Sequence, residues 1–242
     1  MKFKNNKKKN IDIVVPFYNE YKNLEILIPQ IIKSTSNFNQ FRIRYIFIND
    51  GSTDESEKVV KKYLNSKKFY LIDNKKKLGQ TLSYKKYLKY FKSDFFIRID
   101  SDNQDNPIHL KKILQLLMKN DYDVILANRL VRKHPTLIVI LTFIYNFITR
   151  FLIKVDLPTY SSSLVSYKRN FINAKNLKYN DHRYMPLIAI FNGAEKVHTF
   201  SVIHRKRQHG KSNYSIIKKI FFGLPEFFYF FIRLKAGRFK EN

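Results

Sequence analysis

Short apolar runs alternate with amphipathic segments through the first half of the chain, and that alternation restricts the fold more than any other feature. Ile11–Phe17, Arg42–Ile48, Phe69–Ile72, Phe95–Ile99 and Val124–Ala127 read as strands. Between them Asn23–Ser34, Thr53–Leu64, Gly79–Phe91 and Pro107–Lys119 read as helices, with Pro107 at a favoured first-turn position. Strict alternation at this spacing implies βαβ units, hence an α/β fold with a mainly parallel central sheet and helices on both faces. Past residue 130 the pattern changes. An apolar stretch at 137–153 precedes a Ser-rich turn and strand at 161–167, a helix at 181–191 and a strand near 195–203. A basic loop at 204–212 and an aromatic helical region follow. No repeat or linker divides the chain, so one domain is expected over 11–216, between a disordered basic tail at 1–10 and an aromatic C-terminal segment at 217–242.

Composition narrows the chemistry. The 46 Lys+Arg outnumber the 19 Asp+Glu for a net charge of +27. Such an excess suits nucleic acid, anionic lipid or a phosphorylated substrate, or reflects compositional drift in a chain rich in Lys, Asn, Ile, Phe and Tyr. With no Cys, disulfides, thiolate zinc sites, iron–sulfur clusters and a Cys nucleophile are excluded, which agrees with a cytosolic location. The N-terminal residues MKFKNNKKKN lack an apolar core, so no secretory signal is expected there. The runs Leu137–Ile148 and Ile220–Ile232 are shorter than the roughly 20 residues that span a bilayer. The second carries Phe221, Phe222, Phe227, Phe228, Phe230 and Phe231 around most of a helix, flanked by Lys218, Lys219, Arg233, Lys235 and Arg238. It is expected to lie in an anionic membrane interface.

In an open α/β sheet, ligands bind at the carboxyl ends of the strands, and the polar clusters of this chain fall there. Strand one runs into Pro16-Phe17-Tyr18-Asn19-Glu20, strand two into Asn49-Asp50-Gly51-Ser52-Thr53-Asp54, and strand four into Asp100-Ser101-Asp102-Asn103-Gln104-Asp105. A single turn of this kind is readily explained by helix capping, with Ser52 or Asp54 as the cap. Three on one rim of a basic protein favour a metal-bridged nucleotide diphosphate over capping alone. Asp100 and Asp102 stand two apart, so one turn can aim both carboxylates into one crevice. Their repulsion calls for a cation, and oxygen ligands of this type suit Mg²⁺ or Mn²⁺ shared with substrate phosphates. Nucleic acid is not an expected partner, because three acidic rims repel phosphate.

The segments IVVPFYNE, INDGSTDES and IRIDSDNQDNP together resemble the inverting family-2 glycosyltransferases of the GT-A (Rossmann-like) fold. More narrowly the chain is similar to the dolichyl-phosphate mannose synthase and bacterial polyprenyl-phosphate glycosyltransferase branch. That branch is marked by Asp-x-Asp-x-Gln-Asp-x-Pro and by a basic loop matched here at His204, Arg207, Gly210, Ser212 and Tyr214. Leu78-Gly79-Gln80 and His182-Arg183-Tyr184-Met185-Pro186 also fit, and the resemblance runs from about residue 11 to residue 216. One departure is Ser162-Ser163-Leu164, where relatives usually show Ser-Gly-Phe. A second is the segment after Arg129, where Arg132 or Lys133 stands in for a further phosphate clamp.

The resemblance implies metal-assisted transfer of a sugar from a UDP- or GDP-linked donor to a polyprenyl phosphate, with inversion. Pro16, Tyr18, Glu20 and Asp50 would hold base and ribose, with Asp100 and Asp102 on ribose and metal and Gln104 completing the metal side. Arg129 would contact the acceptor phosphate, and Arg207 and Ser212 would close over the donor diphosphate and the lipid phosphate. The alternative within the same fold is transfer to a sugar hydroxyl of a surface polysaccharide. That chemistry needs a carboxylate base, for which Asp181 is taken as the candidate between Ser161 and His204. The implied setting is the cytoplasmic face of a membrane, peripherally attached, with a membrane-protein partner or a second copy of the chain as further associations.

Overall fold

The computed structural model describes residues 8–129, 143, 147, 150, 151, 157, 162–175, 177, 178, 180–203, 205 and 216–239, with backbone alone for 216–224. Strands β1 (Asn10–Phe17), β2 (Arg42–Asn49), β3 (Phe69–Asp73), β4 (Phe95–Arg98) and β5 (Val124–Arg129) alternate with α1 (Tyr21–Thr35), α2 (Ser56–Lys61), α3 (Gln80–Tyr90) and α4 (His109–Lys119). Then follow β6 (Val165–Lys168), α5 (Met185–Phe191), β7 (Val197–Val202) and α6 (Ile216–Lys235). The seven strands form one sheet in the order β3-β2-β1-β4-β6-β5-β7. Only β6 runs antiparallel to its neighbours, so the expected mainly parallel sheet is observed.

The central strands are apolar on both faces because helices cover both. Ile11, Ile13, Val15, Ile97 and Ile125 pack with α1 and α4 on one side. Val14, Ile46, Ile48, Phe96 and Leu126 pack with α3, α5 and α6 on the other. Each fully buried Ile, Leu or Phe contributes about 1.5–3 kcal/mol, which accounts for the tolerance of polar turns at the sheet's rim. At the amino end of the sheet the fully buried Asp12 is held by the Arg44 fork at 2.6 and 2.8 Å and by the Tyr87 hydroxyl at 2.9 Å. The carboxyl ends of β1, β2 and β4 lie at the opposite edge.

The structure corrects two expectations and supplies the strand order that the sequence did not give. Helix α2 begins at Ser56 instead of Thr53, because Thr53 and Asp54 serve the turn before it. β5 does not pair with β4: the antiparallel β6 enters between them, bringing Ser162-Ser163 to the rim. Among the described side chains of the C-terminal segment, the aromatics are not exposed around most of the circumference. Phe227 and Phe230 are buried against Tyr184, and Leu234 and Phe239 join the same core, leaving Phe228, Tyr229 and Ile232 outward. The apolar stretch 137–153 lies mostly outside the described residues. Among those described, no helix is long and apolar enough to cross a membrane.

Candidate active site

The first two polar turns are laced together. The Asn19 N–H donates to Ser52 Oγ at 3.0 Å, the Thr53 N–H to Asn19 Oδ1 at 2.8 Å and the Glu20 N–H to Ser56 Oγ at 2.8 Å. Asp54 accepts from the Tyr21 and Ser56 N–H groups at the starts of α1 and α2, but the N-cap of α2 is Glu55, not Ser52 or Asp54. These polar residues therefore serve as scaffold. They hold Tyr18 half-buried at the rim, with the buried Pro16 beneath it and the buried Glu20 beyond it.

Asp50 is 5% exposed, and both its oxygens face inward donors. Oδ1 accepts from the Leu78 N–H at 2.8 Å and from Ser83 Oγ at 3.2 Å, and Oδ2 from the Gly79 N–H at 2.9 Å. The carboxylate thus grips the loop between β3 and α3. Gly51 lets that loop approach: it has φ +76°, and a Cβ there would sit 2.5 Å from the Lys76 carbonyl carbon. The same loop sets Lys77 Nζ 3.8 Å above the Tyr18 ring. Asp50 accordingly acts on the rim through the loop it holds.

The third turn carries the oxygen donors. Asp100 and Asp102 are partly exposed and Gln104 stands beside them. The turn is closed by the Gln104 N–H donating to Asp102 Oδ1 at 3.2 Å. Asn103 adopts the left-handed conformation at φ 58° and donates to the Asn23 carbonyl of α1 at 2.9 Å. At the next position the Gln104 carbonyl accepts from the Arg205 N–H at 2.9 Å, which brings the start of the basic loop to the acidic turn. Behind the turn, the buried Arg98 of β4 donates to Asp100 Oδ1 at 3.2 Å and to the His182 carbonyl at 3.0 Å. Among the described residues no three His, Asp, Glu or Cys side chains gather into a metal cage. Two carboxylates and a carboxamide on one turn fit a hard divalent cation that takes its remaining ligands from substrate phosphates and water.

Arg129, at the end of β5, is 19% exposed and lies 3.7 Å from Asp105 Oδ2. Ser163 bridges the two: its hydroxyl donates to Asp105 and accepts from Arg129 Nη2. The site therefore brings Asp100, Asp102, Gln104 and Arg129 to one rim, with Tyr18 on the neighbouring strand. Arg207 and Ser212 lie outside the described residues. Asp181, the candidate base, is buried and bidentately paired with Arg233 at 2.9 and 3.0 Å.

Sequence reasoning assigned no role to Arg98, Asp105, Ser163 or His182. A signal existed for Arg98, a charge inside a strand apolar on both faces, which demands buried partners. His182 is buried with Nδ1 2.8 Å from Thr81 Oγ1, and burial, then Arg98 and Arg183, hold its pKa well below the ordinary 6.5. Nothing local in the sequence marks that environment.

Residues 12–174 match the model of the family described as glycosyl transferase family 2. Among curated proteins the chain is similar to the undecaprenyl-phosphate 4-deoxy-4-formamido-L-arabinose transferase of Pectobacterium atrosepticum, with 23% identity over 214 residues, 88% of this chain and 64% of that one. The Proteus mirabilis enzyme of the same name is 24% identical over 212 residues, with 87% and 64% covered. The chain thus spans 64% of those relatives' length, less than two-thirds. Its fold is similar to that of the glucosyl-3-phosphoglycerate synthase of Mycobacterium tuberculosis solved with Mn²⁺, UDP-Glc and PGA (TM-score 0.64, 15% identity, 96% of this chain and 80% of that one). It is also similar to the Pyrobaculum calidifontis mannosyltransferase PcManGT in complex with GDP-Man and Mn²⁺ (TM-score 0.58, 13% identity, 86% and 59%).

Proposed function

The chain belongs to glycosyl transferase family 2, and from that premise we propose that it transfers a sugar from a UDP- or GDP-linked donor to a polyprenyl phosphate. The observation that carries this reading is the acidic turn at 100–105, which sets hard oxygen donors beside Arg129, while two carboxylates among the described residues are committed elsewhere. Asp105 engages Ser163 and Arg129, and Asp181 engages Arg233. A hydroxyl acceptor needs a carboxylate base. A lipid phosphate monoester, with its second pKa at about 6, is already largely anionic and needs positioning and charge compensation instead. The names of the curated relatives support the same acceptor class.

In this reading Tyr18, Pro16 and Glu20 line the base and ribose, and Asp50 shapes that pocket through the 76–79 loop. Asp100, Asp102 and Gln104 would hold Mg²⁺ or Mn²⁺. When bound, the cation supplies charge to the departing nucleoside diphosphate. Arg129 presents a planar fork to the acceptor phosphate. Arg207 and Ser212 take the donor diphosphate and the lipid phosphate by resemblance. Attack from behind the anomeric carbon inverts it in one displacement. A polyprenyl acceptor places the enzyme peripherally on the cytoplasmic face of a membrane.

The test is to incubate the chain with UDP- and GDP-sugars, polyprenyl phosphate and Mn²⁺, and to look for glycosyl-phosphate lipid by mass spectrometry. Asp102→Asn should fold normally and lose transfer. Retention of more than about a tenth of wild-type turnover, equivalent to less than about 1.4 kcal/mol, would refute the metal assignment. Sugar transfer to a polysaccharide hydroxyl with no lipid product would replace the acceptor reading.

A further inference from the structure

Arg98 is a charged residue in the middle of the sheet, 5% exposed, with its carbon Cζ 5.5 Å from the Tyr84 ring centre. Its guanidinium joins three segments far apart in sequence. Nη1 donates to the His182 carbonyl at 3.0 Å, Nη2 to Gln80 Oε1 at 3.4 Å, and Nη2 and Nε to Asp100 Oδ1 at 3.2 and 3.4 Å. Stability alone does not account for such a group. Replacing a buried ion pair by well-packed apolar side chains commonly costs nothing. What an apolar residue could not do is orient Asp100 and offset its charge. The contact falls on Oδ1 only, so Oδ2 is the oxygen left to a ligand, and the guanidinium stays charged at any working pH.

We propose that Arg98 is a positioning residue of the donor site: braced by the His182 carbonyl and Gln80, it fixes the rotamer of Asp100 and cancels most of that carboxylate's attraction for a cation. This deepens the donor reading above and rests on it. The two carboxylates of the turn become inequivalent. Asp100 is left suited to accept a hydrogen bond from a neutral donor hydroxyl, and it adds little to binding of the metal by itself. A metal should accordingly bind the chain weakly alone and well when a nucleoside diphosphate brings its own negative charge.

A double-mutant cycle on Mn²⁺ affinity tests this without measuring turnover. Mn²⁺ binding to the full chain is read by electron paramagnetic resonance, with and without UDP or GDP, and folding is checked by circular dichroism. Arg98→Met, which exposes the full charge of Asp100, should tighten binding of Mn²⁺ alone about tenfold. Asp100→Asn in the wild-type background should change it less than about threefold, and the double variant should return near wild type. Damage to the fold weakens metal binding, so tightening is a response that a merely structural role would not produce.

The same Arg98→Met change should weaken UDP or GDP binding in the presence of Mn²⁺, because Asp100 is no longer held. Should Arg98→Met fail to fold, the comparison of Asp100→Asn with Asp102→Asn decides. A small effect for the first and a loss above about tenfold for the second supports the proposal, and equal losses overturn it. Unchanged Mn²⁺ affinity in a folded Arg98→Met chain overturns it as well. Those failures leave the donor reading standing if wild type binds UDP or GDP with Mn²⁺. Binding of neither nucleotide by wild type overturns both.

Discussion

Asp50 and Asp102 both follow apolar strands into acidic turns, yet the fold uses them in opposite ways. Asp50 turns inward to four donors on the 74–83 segment, whereas Asp102 stays at the partly exposed rim. Arg129 is divided between the two uses, with Nη2 on Ser163 and the side chain still 19% exposed. Arg129→Lys keeps the charge but loses the fork. It should raise the apparent KM for polyprenyl phosphate about ten- to a hundredfold, the equivalent of about 1.5–3 kcal/mol, and leave nucleotide-sugar hydrolysis nearly unchanged. Steady-state kinetics over lipid concentration checks this, and an unchanged KM would move the acceptor site elsewhere. His182 makes a pH prediction. Its pKa is lowered in the folded chain by burial first and then by Arg98 and Arg183, and its ring meets the Thr81 hydroxyl. The unfolded chain therefore binds that proton more readily. The stabilisation is complete above the unfolded value of 6.5 and is lost as pH falls below it, by up to about 1.4 kcal/mol per pH unit. Urea midpoints should drop between pH 6.5 and 5 in wild type, and His182→Gln should flatten that part of the curve. Parallel curves for the two proteins would contradict the assignment.

At the scale of elements, α6 is joined to the domain around one short turn. Asp181 and Arg183, on either side of His182, pair with Arg233 and Glu226 of the helix, the first pair buried at 4% exposure on both sides and the second at 3.4 Å. His182 itself faces the opposite way, its carbonyl accepting from Arg98. Breaking the buried pair from one side strands a charge. Arg233→Met should cost about 3–5 kcal/mol, or roughly 6–20 °C in Tm for a chain of this size. Asp181→Leu with Arg233→Met should recover most of that loss. Calorimetry on the single and double variants checks it, and additive losses would show that the pair is not a coupled unit.

For the whole molecule, the outward apolar residues have a pattern. Phe143, Phe147 and Phe151 are helical, four residues apart, and 63–74% exposed, with Arg150 alongside. On α6, Phe228, Tyr229 and Ile232 point outward. With a net charge of +27, these faces suit an anionic membrane surface. Vesicles containing anionic lipid should sediment the protein, less so at high salt. Replacing Phe143, Phe147 and Phe151 with Ser should reduce recruitment without lowering Tm. Phe227→Ser should lower Tm instead, because Phe227 is core. Equal sedimentation with neutral vesicles would remove the electrostatic part of the argument.

Element type was legible because it is written locally. The period of apolar residues in Asn23–Ser34 or Ile11–Phe17 depends on immediate neighbours, and so does the run of turn-forming residues after each strand. The alternation, the parallel sheet and the acidic rim with Asp100 and Asp102 followed from that. Pairings across long separations, by contrast, exist only in the assembled fold. Arg98 meets His182 across 84 residues, Asp105 meets Ser163 across 58 and Asp181 meets Arg233 across 52. The inward turn of Asp50, the insertion of β6 and the buried side of α6 are of the same kind. A helix with phenylalanines around its circumference does not encode which of them another element will cover, and a charge in a strand announces a need for partners without naming them. Those choices are made when the layers pack, because burial and charge pairing are properties of the assembled core and not of any segment within it.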